Sequence, residues 1–216
     1  MIVSHRHRFI FFAVPRTGTH AIRAAFGPAL GEDDWQQQSL TEVARSPVPD
    51  LARIGHGHIS LRQARACLPA ETRDYFKFAF VRNPYDRFVS ACAMLNKRNP
   101  GYRGAETSFM KRALAFPRFR RRMLIRPQVE MLEESNGRIG MDFVGRFETL
   151  QASFADACRR IGVAAGELEH SNASAHRAYR TYYDDELLAR ITDLYRRDFD
   201  EFGYDVVASA KALSCV

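Results

Sequence analysis

Apolar positions along this chain form two alternating patterns, short unbroken runs and helical stripes. Phe9 to Val14 is an unbroken run rich in aromatic and β-branched residues, so Arg8–Val14 reads as a strand buried on both faces. The turn Pro15-Arg16-Thr17-Gly18-Thr19 follows. A helical pattern over His20–Phe26 comes next, with Ile22 and Phe26 on one face, and Gly27-Pro28 stops it. Tyr75–Val81 (YFKFAFV) starts the same arrangement again. Asn83 suits an N-cap and Pro84 the first turn of a helix that places Phe88, Val89, Cys92 and Leu95 on one face. A third strand, Asp142–Phe147, leads into an amphipathic helix, Glu148–Ile161, with Leu150, Phe154, Cys158 and Ile161 inward and Gly162 closing it.

Other segments are less sharply patterned. Gly31–Asp50 reads as a polar connection with room for one short helix. Leu51–Ile54 is a weak strand candidate running into Gly55-His56-Gly57-His58, and Ser60–Leu68 is a short helix. A helix over Thr107–Ala115 interrupts the basic stretch Asn96–Arg126. His170–Tyr183 is a polar, aromatic loop. Asp184-Asp185 then caps a last helix whose apolar face is Leu187, Leu188, Ile191, Leu194 and Tyr195. His5 and His7 fall in an N-terminal stretch expected to fray. Strands alternating with helices imply an α/β fold, a mostly parallel sheet flanked by helices, in a single domain over residues 1–216. Such sheets bind ligands at the carboxyl ends of their strands. The turns after Val14, Ile54 and Val81 are therefore the places to inspect.

Composition narrows the partner. The 216 residues are 46% hydrophobic and 26% charged, which excludes disorder, collagen and coiled coil. The formal net charge of +7 favours an anionic ligand without choosing among nucleotide, anionic sugar, nucleic acid or acidic membrane. Cys67, Cys92, Cys158 and Cys215 are scattered, with no C-x-x-C and no grouping with histidine, so neither a disulfide framework nor a metal site is expected. Reduced thiols fit a cytoplasmic setting. The longest apolar run is far below the ~20 residues a membrane span requires. The basic start MIVSHRHR precedes an apolar stretch too short for a signal peptide, and that stretch ends in Pro-Arg.

Three turns carry chemistry. In P-R-T-G-T-H, a glycine-containing loop between a buried strand and a helix aims backbone N–H groups at one point, beside a helix N-terminus. Arg16 adds charge and Thr17 and Thr19 add hydroxyls, making a phosphate cradle; the Walker pattern G-x-x-x-x-G-K-[ST] is absent. In F-V-R-N-P-Y-D-R-F-V-S, Arg82 stands at a strand end and Ser90 two helical turns along. Both can serve one phosphate, although Arg82 can equally pair with Asp86. In G-H-G-H-I-S, an imidazole suits proton removal near neutral pH. Arg118, Arg120, Arg121, Arg122 and Arg126 form a basic cluster that suits an anionic acceptor, a nucleic acid or plain solvation. Glu130 and Glu148 are lesser candidates for a base, as are His170 and His176 for ligand contact.

Taken together, these segments resemble the sulfotransferases that use 3′-phosphoadenosine 5′-phosphosulfate (PAPS). FFAVPRTGTHAIR is similar to their 5′-phosphosulfate loop, V-P-K-[ST]-G-[ST], and FAFVRNPYDRFVSAC to their 3′-phosphate element, R-[DNE]-P-x-x-R-x-x-S. PQVEML, DFVGRFETL and DFDEFGYD resemble the carbohydrate branch, and H-G-H resembles the uronyl and heparan 2-O-sulfotransferases. The resemblance implies a P-loop-like three-layer sandwich in one sulfotransferase-like domain. It implies that Arg16, Thr17, Gly18, Thr19 and His20 bind the 5′-phosphosulfate, and that Arg82 and Ser90 bind the 3′-phosphate. Arg177, Tyr179 and Arg180 would close over the nucleotide, His58 would be the base, and His56 would place the acceptor. PAPS would be the donor substrate and no metal would take part. The acceptor would be a carbohydrate hydroxyl, on a neutral or an anionic sugar, with no nucleic acid and no membrane span. The sequence departs from the family pattern at Arg16, usually Lys, and at His20, usually Ser or Thr. Three rival readings remain: a P-loop kinase, a basic nucleic-acid binder, and a family member that holds nucleotide without turnover.

Overall fold

The structure is a computed structural model that describes residues 1–38, 46–169 and 177–215. Its strands are β1 (Ile2–Ser4), β2 (Phe9–Phe12), β3 (Trp35–Gln36), β4 (Phe76–Val81) and β5 (Phe143–Arg146). Its helices are α1 (Thr19–Phe26), α2 (Pro49–Ala52), α3 (Leu61–Cys67), α4 (Pro84–Leu95), α5 (Glu106–Leu114), α6 (Pro117–Arg120), α7 (Val129–Leu132), α8 (Leu150–Ile161), α9 (Asp185–Leu194), α10 (Arg196–Phe202) and α11 (Ala210–Cys215). These residues group into two compact units, Met1–Val81 with Gln128–Asn172, and Arg82–Pro127 with Ala173–Val216.

The first unit holds the sheet, ordered β3-β1-β2-β4-β5. Its core is parallel: β2 pairs with β4 (Phe9↔Phe76 through Phe12↔Ala79) and β4 with β5 (Phe78↔Phe143 through Val81↔Arg146). The strands alternate faces. Phe9, Phe11, Phe78 and Phe80 pack with Ile22 and Phe26 of α1 and with Phe154, Ala157 and Cys158 of α8 in one fully buried cluster. Phe26 bridges the layers, its ring 5.1 Å from both Phe9 and Phe154. Each such ring contributes about 2 kcal/mol on burial. On the opposite face Ile10 and Phe12 meet Leu61, Ala64 and Leu68 along α3, around a cavity of about 360 Å³. This gives helix, sheet and helix in three layers, the α/β arrangement the alternating pattern implies.

The sheet also has an antiparallel edge that the sequence pattern did not reveal. Ile2–Ser4, expected to fray, forms β1 and pairs with both β2 and β3. Asp34 fastens its turn by accepting from the Ser4 hydroxyl at 2.7 Å and the backbone N–H groups of His5 at 2.6 Å, Arg6 at 3.2 Å and Gly31 at 2.9 Å. His5 and His7 are likewise held, at Tyr75 Oη and at the Ala29 carbonyl. Such short edge strands carry no visible period. Leu51–Ile54 is not a strand: Pro49 starts the one-turn helix α2 there. α3 matches expectation and opens on a reciprocal capping box between Ser60 and Gln63.

The second unit is helical. Asn83 caps α4 by accepting from the Tyr85 N–H at 3.0 Å, and Asp184 caps α9 through the Leu187 N–H at 2.9 Å. Tyr85, Phe88, Leu187, Leu188, Ile191, Tyr195 and Phe199 are buried, with the Tyr85 and Phe199 rings 4.8 Å apart. The expected last helix is followed by two more. The chain breaks at Tyr195, continues as α10 until Gly203 adopts φ 61, and ends in α11. Among the described residues no helix is long and apolar enough to cross a membrane.

Candidate functional site

The loop between β2 and α1 is shaped by two left-handed residues, Arg16 at φ 68 and Gly18 at φ 78. Left-handed residues alternating with ordinary ones turn successive N–H groups toward one concavity, the geometry that accepts anions. Glycine suits this position, since a side chain is strained at φ 78 and an added Cβ would come 2.5 Å from Leu150 Cδ2, forcing that side chain to shift. A left-handed Arg16 costs about 1 kcal/mol of backbone strain, which the surrounding structure must hold. Gly18 is also the N-cap of α1 and, having no side chain, leaves the first-turn N–H groups uncapped from within. Thr17 differs from expectation. It is fully buried and its Oγ1 donates to the Val14 carbonyl at 2.9 Å, so its hydroxyl proton is committed to the loop. Thr19 is 5% exposed, Arg16 is half-buried and His20 is exposed. Partial burial, then the Arg23 and Arg16 charges, lower the His20 pKa, keeping it neutral at neutral pH.

The G-H-G-H segment reaches this loop by another route than a strand end. Arg23, on the buried side of α1, donates through Nη2 to the carbonyls of Gln37 at 3.0 Å and Gly57 at 3.2 Å. The Gln37 side chain in turn donates to the carbonyls of Leu51 at 2.8 Å and His56 at 3.0 Å. A Cβ on Gly57 would collide with the Gln37 carbonyl and the Arg23 guanidinium, so glycine is required. His58 is then placed with Nδ1 2.6 Å from the carbonyl oxygen of Ala13, the residue after β2. A carbonyl only accepts, so Nδ1 carries the proton and Nε2 keeps its lone pair. Burial, the largest influence, drives the His58 pKa down to about 3 against the ordinary 6.5. Burial also lowers that of His56, whose ring lies 6.2 Å from the His58 ring and whose Nδ1 accepts from the His58 N–H at 3.3 Å. The imidazole of His58 is thus a neutral acceptor in a fixed tautomer.

In the second unit, Arg82 donates through Nε and Nη2 to Asp86 Oδ2 at 2.8 and 2.7 Å. The ion pair weighed from the sequence therefore forms. Ser90, two turns along α4, is fully buried. Arg177 lies over the Tyr182 ring at 5.0 Å, and Arg180 over the Tyr179 ring at 5.5 Å. Their turn, Tyr179–Tyr182, packs beside α4, where Tyr183 donates to the Tyr85 carbonyl at 2.9 Å. Among the described residues, the buried Arg180 Nε has no hydrogen-bond partner, as is also true of Arg23 Nε and Arg87 Nε. His170 and His176 lie outside the described residues.

Arg87 is the residue that motif reading underused. It is fully buried, donates to the carbonyls of Leu124 at 3.3 Å and Arg126 at 2.7 Å, and lies over the Tyr195 ring at 5.1 Å. Tyr195 donates to the Ile125 carbonyl at 2.6 Å, so two side chains tie down three consecutive peptides. The signal was present as the second arginine of R-N-P-Y-D-R.

The first unit therefore brings Arg16, Thr17, Gly18, Thr19 and His20 onto one loop and helix start, and hangs His58 from the strand that feeds it. Arg82, Ser90, Arg177, Tyr179 and Arg180 belong to the second unit. A sequence model described as the Sulfotransferase family matches residues 1–205. No curated protein and no solved structure matches.

Proposed function

From the premise that this chain belongs to the sulfotransferase family, we propose that it moves a sulfuryl group from PAPS to a carbohydrate hydroxyl, with His58 as the base. The observation that carries this reading is the 2.6 Å bond from His58 Nδ1 to the Ala13 carbonyl. It supports a base in the correct tautomer, fixed to the strand end that opens the anion-binding loop.

In the proposed reaction the acceptor oxygen attacks sulfur in line, and its proton passes to His58 Nε2. The bond between sulfur and the 5′-phosphate oxygen breaks, and 3′-phosphoadenosine 5′-phosphate (PAP) leaves with the electron pair. Positioning and charge stabilisation supply the rate. Arg16 and the first-turn amides of α1 neutralise the leaving phosphate, Thr17 and Gly18 contribute backbone N–H groups, and Thr19 and His20 stand at the helix start. Arg in place of Lys keeps the charge as a planar fork. Arg82 and Ser90 take the 3′-phosphate, and Asp86 holds the guanidinium ready. Arg177, Tyr179 and Arg180 cover the adenosine, and His56 orients the acceptor. An anion bound beside His58 would raise its low pKa and make it a stronger base. Residues 1–216 act as a single sulfotransferase-like domain, and no metal is called for. Free thiols at Cys67, Cys92 and Cys158 suit a reducing, cytoplasmic setting.

The test is release of PAP from PAPS against a panel of neutral and uronic oligosaccharides, with EDTA present. Product with at least one sugar, unaffected by EDTA, supports the reading. A magnesium-dependent transfer from ATP would replace it with a kinase. Tight PAP binding without turnover on any acceptor would leave a nucleotide-binding member only.

A further inference from the structure

Between Lys97 and Arg126 the sequence carries ten basic residues and one acid, Glu106. That surplus of nine exceeds the +7 of the whole chain, so the remainder is slightly acidic and the positive charge is concentrated in one stretch of the second unit. Within it, α5 turns Met110 and Leu114 inward, at 0% and 6% exposure. Ala115, Phe116 and Pro117 then turn the corner into α6, and all three are exposed. Phe116 is 65% exposed, the most of any large apolar side chain among the described residues.

A collar of charge surrounds this apolar corner. Arg112 precedes it, and Arg118, Arg120, Arg121 and Arg122 follow; all five are exposed, and among the described residues none has an acidic partner. Lys111 shows what ordinary neutralisation looks like nearby, with Asp184 at 2.5 Å and Glu186 at 2.7 Å. Like charges gathered on one short stretch of chain repel one another, and an aromatic ring in water is unfavourable as well.

We propose that the α5–α6 corner docks this protein on a membrane surface bearing anionic headgroups. Phe116 enters the boundary between headgroups and acyl chains, and the five arginines sit among the lipid phosphates. Durable attachment of this kind takes an apolar insertion together with a basic patch, and the corner presents both. A second copy of the chain is disfavoured on this face by like charge. A nucleic acid or anionic glycan would satisfy the arginines but gives the Phe116 ring no acyl boundary to enter. The proposal does not depend on the sulfotransferase reaction.

Co-sedimentation with vesicles tests it, using phosphatidylcholine alone and phosphatidylcholine doped with phosphatidylglycerol. The protein should pellet only with the anionic vesicles. Each arginine replaced by glutamine, as in Arg120→Gln, should weaken binding about fivefold, and Phe116→Ala should weaken it several-fold without altering thermal unfolding. In Phe116→Trp the new indole should shift to blue emission on vesicles, against a background of one native tryptophan, Trp35, which is 4% exposed. Failure to pellet with anionic vesicles overturns the proposal. So does binding indifferent to Phe116→Ala with no emission shift, which is simple charge adsorption. Capture by single-stranded RNA or heparin while vesicles are ignored overturns it in favour of a polyanion.

Discussion

The Nδ1 of His58 and the carbonyl oxygen of Ala13 are 2.6 Å apart. Because Ala13 directly follows β2, this contact ties the histidine segment to the strand end from which the Arg16–Thr19 loop departs. It sets the tautomer, and the tautomer decides the chemistry: Nε2 can take a proton and cannot give one.

The first expectation concerns turnover. His58→Gln should retain PAP affinity by calorimetry and lose about 10²- to 10⁴-fold in kcat, the usual contribution of a general base. Wild-type turnover in this variant would remove His58 from the mechanism.

Acid stability should carry the same residue's mark. The folded His58 titrates at about 3 and the unfolded one near 6.5. Between those values the unfolded chain binds a proton that the folded chain does not. Stability from this group is thus complete above pH 6.5 and falls as pH drops toward 3, by a few kcal/mol at most. Urea midpoints measured through that window should decline more steeply for wild type than for His58→Gln.

Gly18→Ala should damage the loop twice. Its Cβ meets Leu150, and alanine resists φ 78. A loss of about 1–3 kcal/mol in denaturant unfolding is expected, together with weakened PAP binding.

Arg23→Met should remove one of the two donors that the Gly57 and Gln37 carbonyls share, the Met1 nitrogen being the other. The expected cost is about 1–3 kcal/mol, since two buried bonds from a charged donor are lost while each acceptor keeps its second donor. Of the two histidines flanking Gly57, the His58 ring signals in NMR should broaden or shift first.

Arg82→Ala should separate the two phosphates of the nucleotide. Affinity for PAP should fall about 10- to 100-fold, the worth of a charge-assisted pair. Affinity for AMP, which lacks the 3′-phosphate, should not change in the same calorimetric titration.

The apolar runs made β2 and β4 legible, because segments buried on both faces of a sheet are almost wholly apolar; β5 is only partly buried, with Arg146 exposed. Caps made α3, α4 and α9 legible, since Ser60, Asn83 and Asp184 act within one turn of their own helix. β1 and β3 were not legible. A strand of two or three residues is set by partners far along the chain, as Val3 is by Ile10 and Trp35. The same limit hid the role of Arg87, whose partners lie almost forty residues on.

The sequence by itself determined the strand–loop–helix units, the residue types of the anion-binding turns and the family they belong to, because these depend on neighbours a few positions apart. Only the tertiary structure decided how His58 is held, through Arg23, Gln37 and the Ala13 carbonyl, because those contacts join four separate segments. It also decided which charges stay unpaired at the α5–α6 corner. Burial and pairing are properties of surfaces brought together by folding, and a linear order of residues does not contain them.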